Sequence, residues 1–140
     1  MGDLRELTNF LGLQISRLHD GLFISQTKYV LDLLEKFKML DCKPTPTPFQ
    51  FGVKLTKECT SKKVDTTLYR QLVGSLGYLT YSRQDICFAV DLVSRFMQEP
   101  RESHWMVAKR ILRYVHGTMY YGVYYSCKSP ISLLGFIDSD

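Results

Sequence analysis

The chain has 140 residues, 45% of them hydrophobic and 13% aromatic, with a formal net charge of +4. That composition excludes disorder throughout: it fits one domain, or two small pieces of a larger one, able to bury roughly 70% of the surface the unfolded chain exposes. No apolar run approaches the ~18 residues of a membrane span, "MGDLRELTNF" lacks the apolar stretch of a signal peptide, and the mild basic excess points only weakly towards polyanions.

The first predicted element alternates. In "FLGLQISRLHDGLFISQ", Leu11, Leu13 and Ile15 share one face, and Asp20-Gly21 suits a tight turn, so a β-hairpin is expected over about residues 9–26. In "TKYVLDLLEKFKML", Val30, Leu33, Leu34 and Phe37 recur at helical spacing and predict an amphipathic helix. Pro44, Pro46 and Pro48 then forbid helix, and the polar, lysine-dotted stretch to about residue 64 reads as a mobile linker.

Three more helices are expected. Thr66 or Thr67 caps the first, whose buried stripe is Tyr69, Leu72, Val73, Leu76 and Leu79. Gly74 and Gly77 lie within it at a cost in helix stability, so close packing against another backbone is the expected compensation. Asp85 caps the second, with Ile86, Ala89, Val90, Val93 and Phe96 inward. Ser103 opens the third, with Trp105, Ala108, Ile111, Leu112 and Val115 inward and Gly117 past its end. "MYYGVYYS" and "ISLLGFID" read as two strands around the turn "CKSP". The fold class is therefore α+β: an N-terminal β-hairpin, a helical bundle and a C-terminal β-hairpin. An isolated hairpin is marginal in water, so both hairpins are expected to find sheet partners outside the chain, as in a fragment of a larger fold.

Four cysteines without a C-x-x-C pair and three histidines without ligand spacing argue against a disulfide framework and a zinc ribbon. They predict reduced thiols in an intracellular, reducing compartment, cytoplasm or nucleus. Asp138 and Asp140, two apart on a strand-like run, point to one face and suit a divalent cation as hard oxygen ligands, or are simply two solvated acids. Arg101, Lys109, Arg110 and Arg113 lie on or just ahead of the last helix and off its apolar stripe. They read as phosphate contacts or as an ordinary solvated face. The same two readings hold for Lys54, Lys57, Lys62 and Lys63 in the linker. Tyr120-Tyr121 and Tyr124-Tyr125 offer either stacking surfaces for bases or sheet packing.

Five stretches taken together resemble the polyprotein of Ty1/copia-type LTR retrotransposons: "NFLGLQI", "LFISQTKYVLDLLEKFKMLDCKPTPTP", "YRQLVGSLGYLTYSRQDICFAV", "SRFMQEPRESHWMVAKRILRYVHGT" and "GFIDSD". They cover nearly the whole chain in the family's order. The resemblance implies the region after the palm active site of the reverse transcriptase. Residues 1–40 would be the end of the palm, the primer-grip hairpin and the first thumb helix, and 41–65 the linker. Residues 66–117 would be the helical thumb and connection, and 118–140 the first strands of connection and ribonuclease H. Phe10, Leu11 and Gly12 match the element that holds the primer 3′ end, and Asp138 matches the first ribonuclease H carboxylate. Two departures fit a drifted copy: "YSRQD" stands for the family's Thr-Arg-Pro-Asp, with Gln84 in place of proline, and "DLR" at Arg5 stands for "DLG".

The implied function is that of a piece of an RNA-directed DNA polymerase that positions an RNA–DNA hybrid or template-primer duplex. The remaining reverse transcriptase and ribonuclease H domains would be its partners, and Mg2+ the metal of the intact parent. Both chemistries need carboxylate-held metal pairs. No Asp-Asp occurs in the sequence, and Asp138 is the one nuclease carboxylate matched. The chain by itself is thus expected to hold no cofactor and to catalyse neither reaction. Two rival readings are an autonomous nucleic-acid-binding module, with steeply salt-dependent affinity, and an inert remnant of a decayed retroelement, with an uncooperative melt.

Overall fold

A computed structural model describes residues 6–10, 12–57 and 60–126. The element order is β1 (Glu6–Phe10), β2 (Leu13–Leu18), β3 (Gly21–Ser25), α1 (Thr27–Lys36), α2 (Thr66–Leu79), α3 (Cys87–Val93), α4 (Glu102–Gly117) and β4 (Gly122–Ser126). Short 3-10 turns, Gln84–Ile86 and Ser94–Phe96, flank α3. The class is α+β, as the periodicity predicts.

The helices bury the faces their sequences mark. In α2 all five stripe residues are buried; so are Val30, Leu33 and Leu34 of α1, and Ala108, Ile111, Leu112 and Val115 of α4. Ala89, Val90 and Val93 of α3 join them, with Ile86 and Phe96 from the flanking turns. These residues form one apolar cluster. Trp105 is only partly buried and meets Phe37 edge-on, ring centroids 6.2 Å apart. Tyr69 buries its ring in the cluster and satisfies its hydroxyl by donating to Val93 O at 2.5 Å.

The strands form one antiparallel sheet in the order β1-β2-β3-β4. Leu18 pairs with Gly21, so the tight turn is His19-Asp20, one residue earlier than the Asp20-Gly21 expected. The expectation that the hairpins lack partners is corrected. β3 pairs with β4 from Gly21↔Ser126 to Ser25↔Gly122, so the N-terminal hairpin and the first C-terminal strand are partners in one sheet. The second C-terminal strand, "ISLLGFID", lies outside the described residues.

Several local expectations fail for identifiable reasons. Asp65, not Thr66 or Thr67, caps α2: its Oδ1 accepts from Thr67 N at 2.9 Å and Leu68 N at 3.2 Å. Asp85 sits inside a 3-10 turn, its carboxylate committed to Arg83 rather than to a helix terminus. α4 begins at Glu102, one residue before Ser103, because the Arg101 N–H donates to His104 Nδ1 at 2.9 Å. Gly117 is the last residue of that helix and Thr118 its cap. A Cβ on Gly74 or Gly77 would meet nothing within 4 Å, so among the described residues no backbone packs closely there.

The linker expected to be mobile is laced along α4. His116 Nε2 donates to Leu40 O at 3.0 Å, and His104 Nε2 to Thr56 O at 2.8 Å. Further on, Ser103 N donates to Ser61 Oγ at 3.3 Å and Glu102 N to Lys62 O at 2.7 Å. Polar linker backbone thus finds its partners on one helix, which lets Thr45 bury and lets Phe49 and Leu55 pack against the apolar cluster.

Candidate nucleic-acid interface

The pairing of Phe10 with Leu13 makes the chain reverse between β1 and β2, at Gly12. Leu11 lies outside the described residues; Gly12 takes φ +84°, a left-handed conformation that glycine adopts without penalty. The turn sits against Tyr78 of α2, where a Cβ on Gly12 would fall 2.5 Å from the Tyr78 hydroxyl. Tyr78 is in turn held edge-on between Tyr29, at 5.0 Å, and Tyr81, at 5.5 Å. Beside it, buried Gln26 donates to Tyr78 O at 3.3 Å and accepts from Ser82 Oγ at 2.6 Å. This polar pair fixes the β3–α1 junction to the end of α2, and with it the place of the hairpin.

The four basic residues singled out on α4 and just ahead of it meet the linker or that helix. Arg113 Nε donates to Lys43 O at 2.8 Å, and Arg110 Nη2 to Thr47 Oγ1 at 3.0 Å. Arg101 Nη1 donates to Ser61 O at 3.0 Å, and Lys109 Nζ lies 5.9 Å from the Trp105 ring centroid. Arg101 also lies 3.9 Å from Glu99 Oε2; among the described residues, Arg110 and Arg113 have no carboxylate partner. The geometry brings Arg110 and Arg113 together at one cavity and leaves Arg101 at the helix start. Of the tyrosine pairs, Tyr120, Tyr121 and Tyr124 stay largely exposed.

The most organised polar site is one the sequence does not advertise. Arg83, 2% exposed, gives Nε and Nη2 to the Asp85 carboxylate at 3.1 and 2.9 Å, and Nη1 and Nη2 to Thr118 O and Oγ1 at 3.0 and 2.5 Å. Its guanidinium also lies 5.7 Å from the Tyr114 ring centroid and 5.3 Å from that of Tyr121. The Tyr114 hydroxyl completes the set by donating to Asp85 Oδ2 at 2.6 Å. Burial works to raise the Asp85 carboxyl. The hydrogen bonds from Arg83 and Tyr114 and the Arg83 charge outweigh it and hold the carboxyl below its ordinary value. Tyr114 is pushed up to about 12, first by burial and then by its bond to that carboxylate. The cluster ties the start of α3 to the α4–β4 junction.

Buried His104 was missed as well. It is stacked on Phe96 at 3.9 Å; its Nδ1 accepts and its Nε2 donates, so it is a neutral imidazole clamping linker to helix. Among the described residues no group of three or more His, Cys, Asp or Glu side chains is placed to hold a metal ion. Asp138 and Asp140 lie outside the described residues. No helix among the described residues is long and apolar enough to cross a membrane.

No protein-family model and no solved structure matches the chain. Curated proteins do. The chain is 42% identical over 138 residues to a retrovirus-related Pol polyprotein from transposon RE1 of Arabidopsis thaliana, covering 99% of this chain and 9% of the polyprotein. It is 37% identical over 149 residues to the corresponding polyprotein from transposon TNT 1-94 of Nicotiana tabacum, covering 100% and 11%. A mitochondrial protein of Arabidopsis thaliana is 42% identical over 140 residues, covering 100% of this chain and 58% of that protein. The chain therefore spans about a tenth of the polyproteins it matches. Similar along essentially its whole length, it belongs to the retrovirus-related Pol polyproteins of Ty1/copia-type retrotransposons.

Proposed function

We propose that this segment is the primer-grip hairpin, thumb and connection of a reverse transcriptase, and that it positions an RNA–DNA template-primer. In that reading residues 1–40 carry the hairpin and first thumb helix, 41–65 the linker, 66–117 the thumb and connection, and 118–140 the entry to ribonuclease H. Phe10, Leu11 and Gly12 hold the primer end. Arg101, Lys109, Arg110 and Arg113 contact phosphates. Asp138, with Asp140 beside it, supplies the first nuclease carboxylate to Mg2+ in the whole polyprotein. The rest of the reverse transcriptase and the ribonuclease H domain are the partners, in a reducing intracellular compartment.

The observation that carries this reading is the match to Pol polyproteins over 96 to 99% of the chain at 41 to 42% identity. A turn fixed by Gly12 against Tyr78 supports it, since a primer-holding loop needs a defined position. The test is anisotropy of a labelled RNA–DNA hybrid titrated with the chain between 50 and 200 mM salt. Four phosphate contacts predict an affinity loss of roughly a hundredfold across that range. Undetectable binding, or binding indifferent to salt, overturns the reading.

A further inference from the structure

A cavity of about 320 Å³ opens between the linker and α4, lined by Phe49, Gln50, Val53, Ser103, Met106, Val107, Arg110 and Arg113. Its volume sits at the lower end of the range for small-molecule sites. One wall is apolar: Phe49, Val53, Met106 and Val107. Met106 is 65% exposed and Phe51, beside Gln50, fully so, which leaves apolar surface in water around the opening.

Two guanidinium groups stand in the same lining. Among the described residues, Arg113 gives away only its Nε–H, to Lys43 O, and Arg110 only one Nη2–H, to Thr47 Oγ1. Both acceptors are neutral. Arg110 Nε is buried without a hydrogen-bond partner among the described residues. Among the described residues these two half-buried cations face no anion, and one of them keeps an unsatisfied buried donor. An oxyanion is a stronger acceptor for them than a carbonyl or a hydroxyl.

We propose that this cavity binds a small amphipathic anion. Its apolar body would lie between Phe49, Val53, Met106 and Val107, and its oxyanion head on Arg110 and Arg113. Inorganic phosphate satisfies the cations but leaves the apolar wall wet, and a neutral alkyl alcohol does the reverse. A ligand with both parts answers the whole lining. The inference does not need the polymerase reading, but it shares Arg110 and Arg113 with the phosphate contacts proposed there, and displacement by decanoate as against an RNA–DNA hybrid tells the two apart.

The test uses the full chain and anilinonaphthalene sulfonate, a fluorescent anion with an aromatic body. Saturable binding at one site is expected, with decanoate displacing the dye and neither decanol nor inorganic phosphate doing so at the same concentration. The double variant R110Q/R113Q should bind about tenfold more weakly, since charge-assisted bonds are lost. Met106→Glu provides a second reading that leaves the linker's hydrogen bonds in place: on an exposed position it puts a carboxylate at the opening and should weaken binding similarly. Arg95→Gln, outside this lining, should leave the dye affinity unchanged. Displacement by decanol as effective as by decanoate overturns the proposal. So does dye affinity unchanged in both M106E and R110Q/R113Q, or displacement by an RNA–DNA hybrid but not by decanoate.

Discussion

Asp85 accepts two guanidinium bonds from Arg83 and one phenolic bond from Tyr114, and Arg83 is almost wholly out of water. Asp85→Asn removes the charge that balances a buried cation. A fully buried pair broken this way costs more than 3 kcal/mol, but the Asp85 side chain is 34% exposed, so about 2 kcal/mol is expected in urea denaturation at pH 7. The sign with pH follows from the depressed carboxyl. Its stabilisation is fully present above the ordinary carboxylate value near 4 and is lost as pH falls through the lower folded value. The variant should therefore flatten the acid limb; superimposable acid profiles for the two proteins would refute the pairing. Tyr114 acts at the other end. Its raised phenol contributes stability below about pH 10 that disappears as pH climbs towards 12, and Tyr114→Phe should remove that decline. Neither Arg83 nor His104 stands out in the sequence. Periodicity marks apolar positions, whereas these two are polar groups whose burial depends on Thr118 and Thr56, partners far away along the chain. The Gly12 turn was not legible either: the alternation of Leu11, Leu13 and Ile15 reads as one continuous strand, whereas the chain reverses between Phe10 and Leu13, with Gly12 at φ +84°.

At the scale of elements, the apolar stripes of α1, α2 and α4 were readable because helical spacing repeats over several turns, and most buried positions are ones the spacing selects; Phe37 and Trp105 are only partly buried, and His104 is buried without belonging to a stripe. The third stripe was readable too, yet its helix is shorter than the stripe. Residues 84–86 and 94–96 bury the right side chains from 3-10 turns, which periodicity does not separate from α-helix. The lacing of the linker was illegible, since it joins backbone carbonyls to side chains on a distant helix. The glycines within α2 give a sharp test of what the helix tolerates. With open space at both Cβ positions, Gly74→Ala and Gly77→Ala should each stabilise the fold by about 0.5–1 kcal/mol and raise its melting temperature by a few degrees. Gly12→Ala should do the opposite, costing about 1–2 kcal/mol, because its φ is +84° and its Cβ would crowd the Tyr78 hydroxyl. Thermal melts of the three variants decide the point. A loss of stability in both α2 variants would mean that a neighbour does approach that face of the helix.

For the molecule as a whole, the apolar cluster and the sheet are held differently. The described cluster draws on helices and linker, and among the residues whose side chains are described no strand residue belongs to it; Val123 is the sheet's buried hydrophobic residue among those described. The strands are held to one another by backbone ladders, and to the helices by point contacts such as Gln26 with Ser82 and Thr27 Oγ1 donating to Met119 O at 3.0 Å. Backbone bonds on half-exposed strands open at lower free energy than those of helices packed on a dry core. Native-state hydrogen exchange should therefore rank the amides of α2 and α4 as most protected, opening only with global unfolding. Those of β2 and β3 should exchange through a cheaper local opening. Equal opening free energies for sheet and helices would show one cooperative unit and refute the division. The same experiment weighs the remnant reading. Because β3 pairs with β4 within the chain and the helices share one apolar cluster, a folded molecule with protected helices is expected, whereas uniformly weak protection would mark a chain unable to hold its core alone.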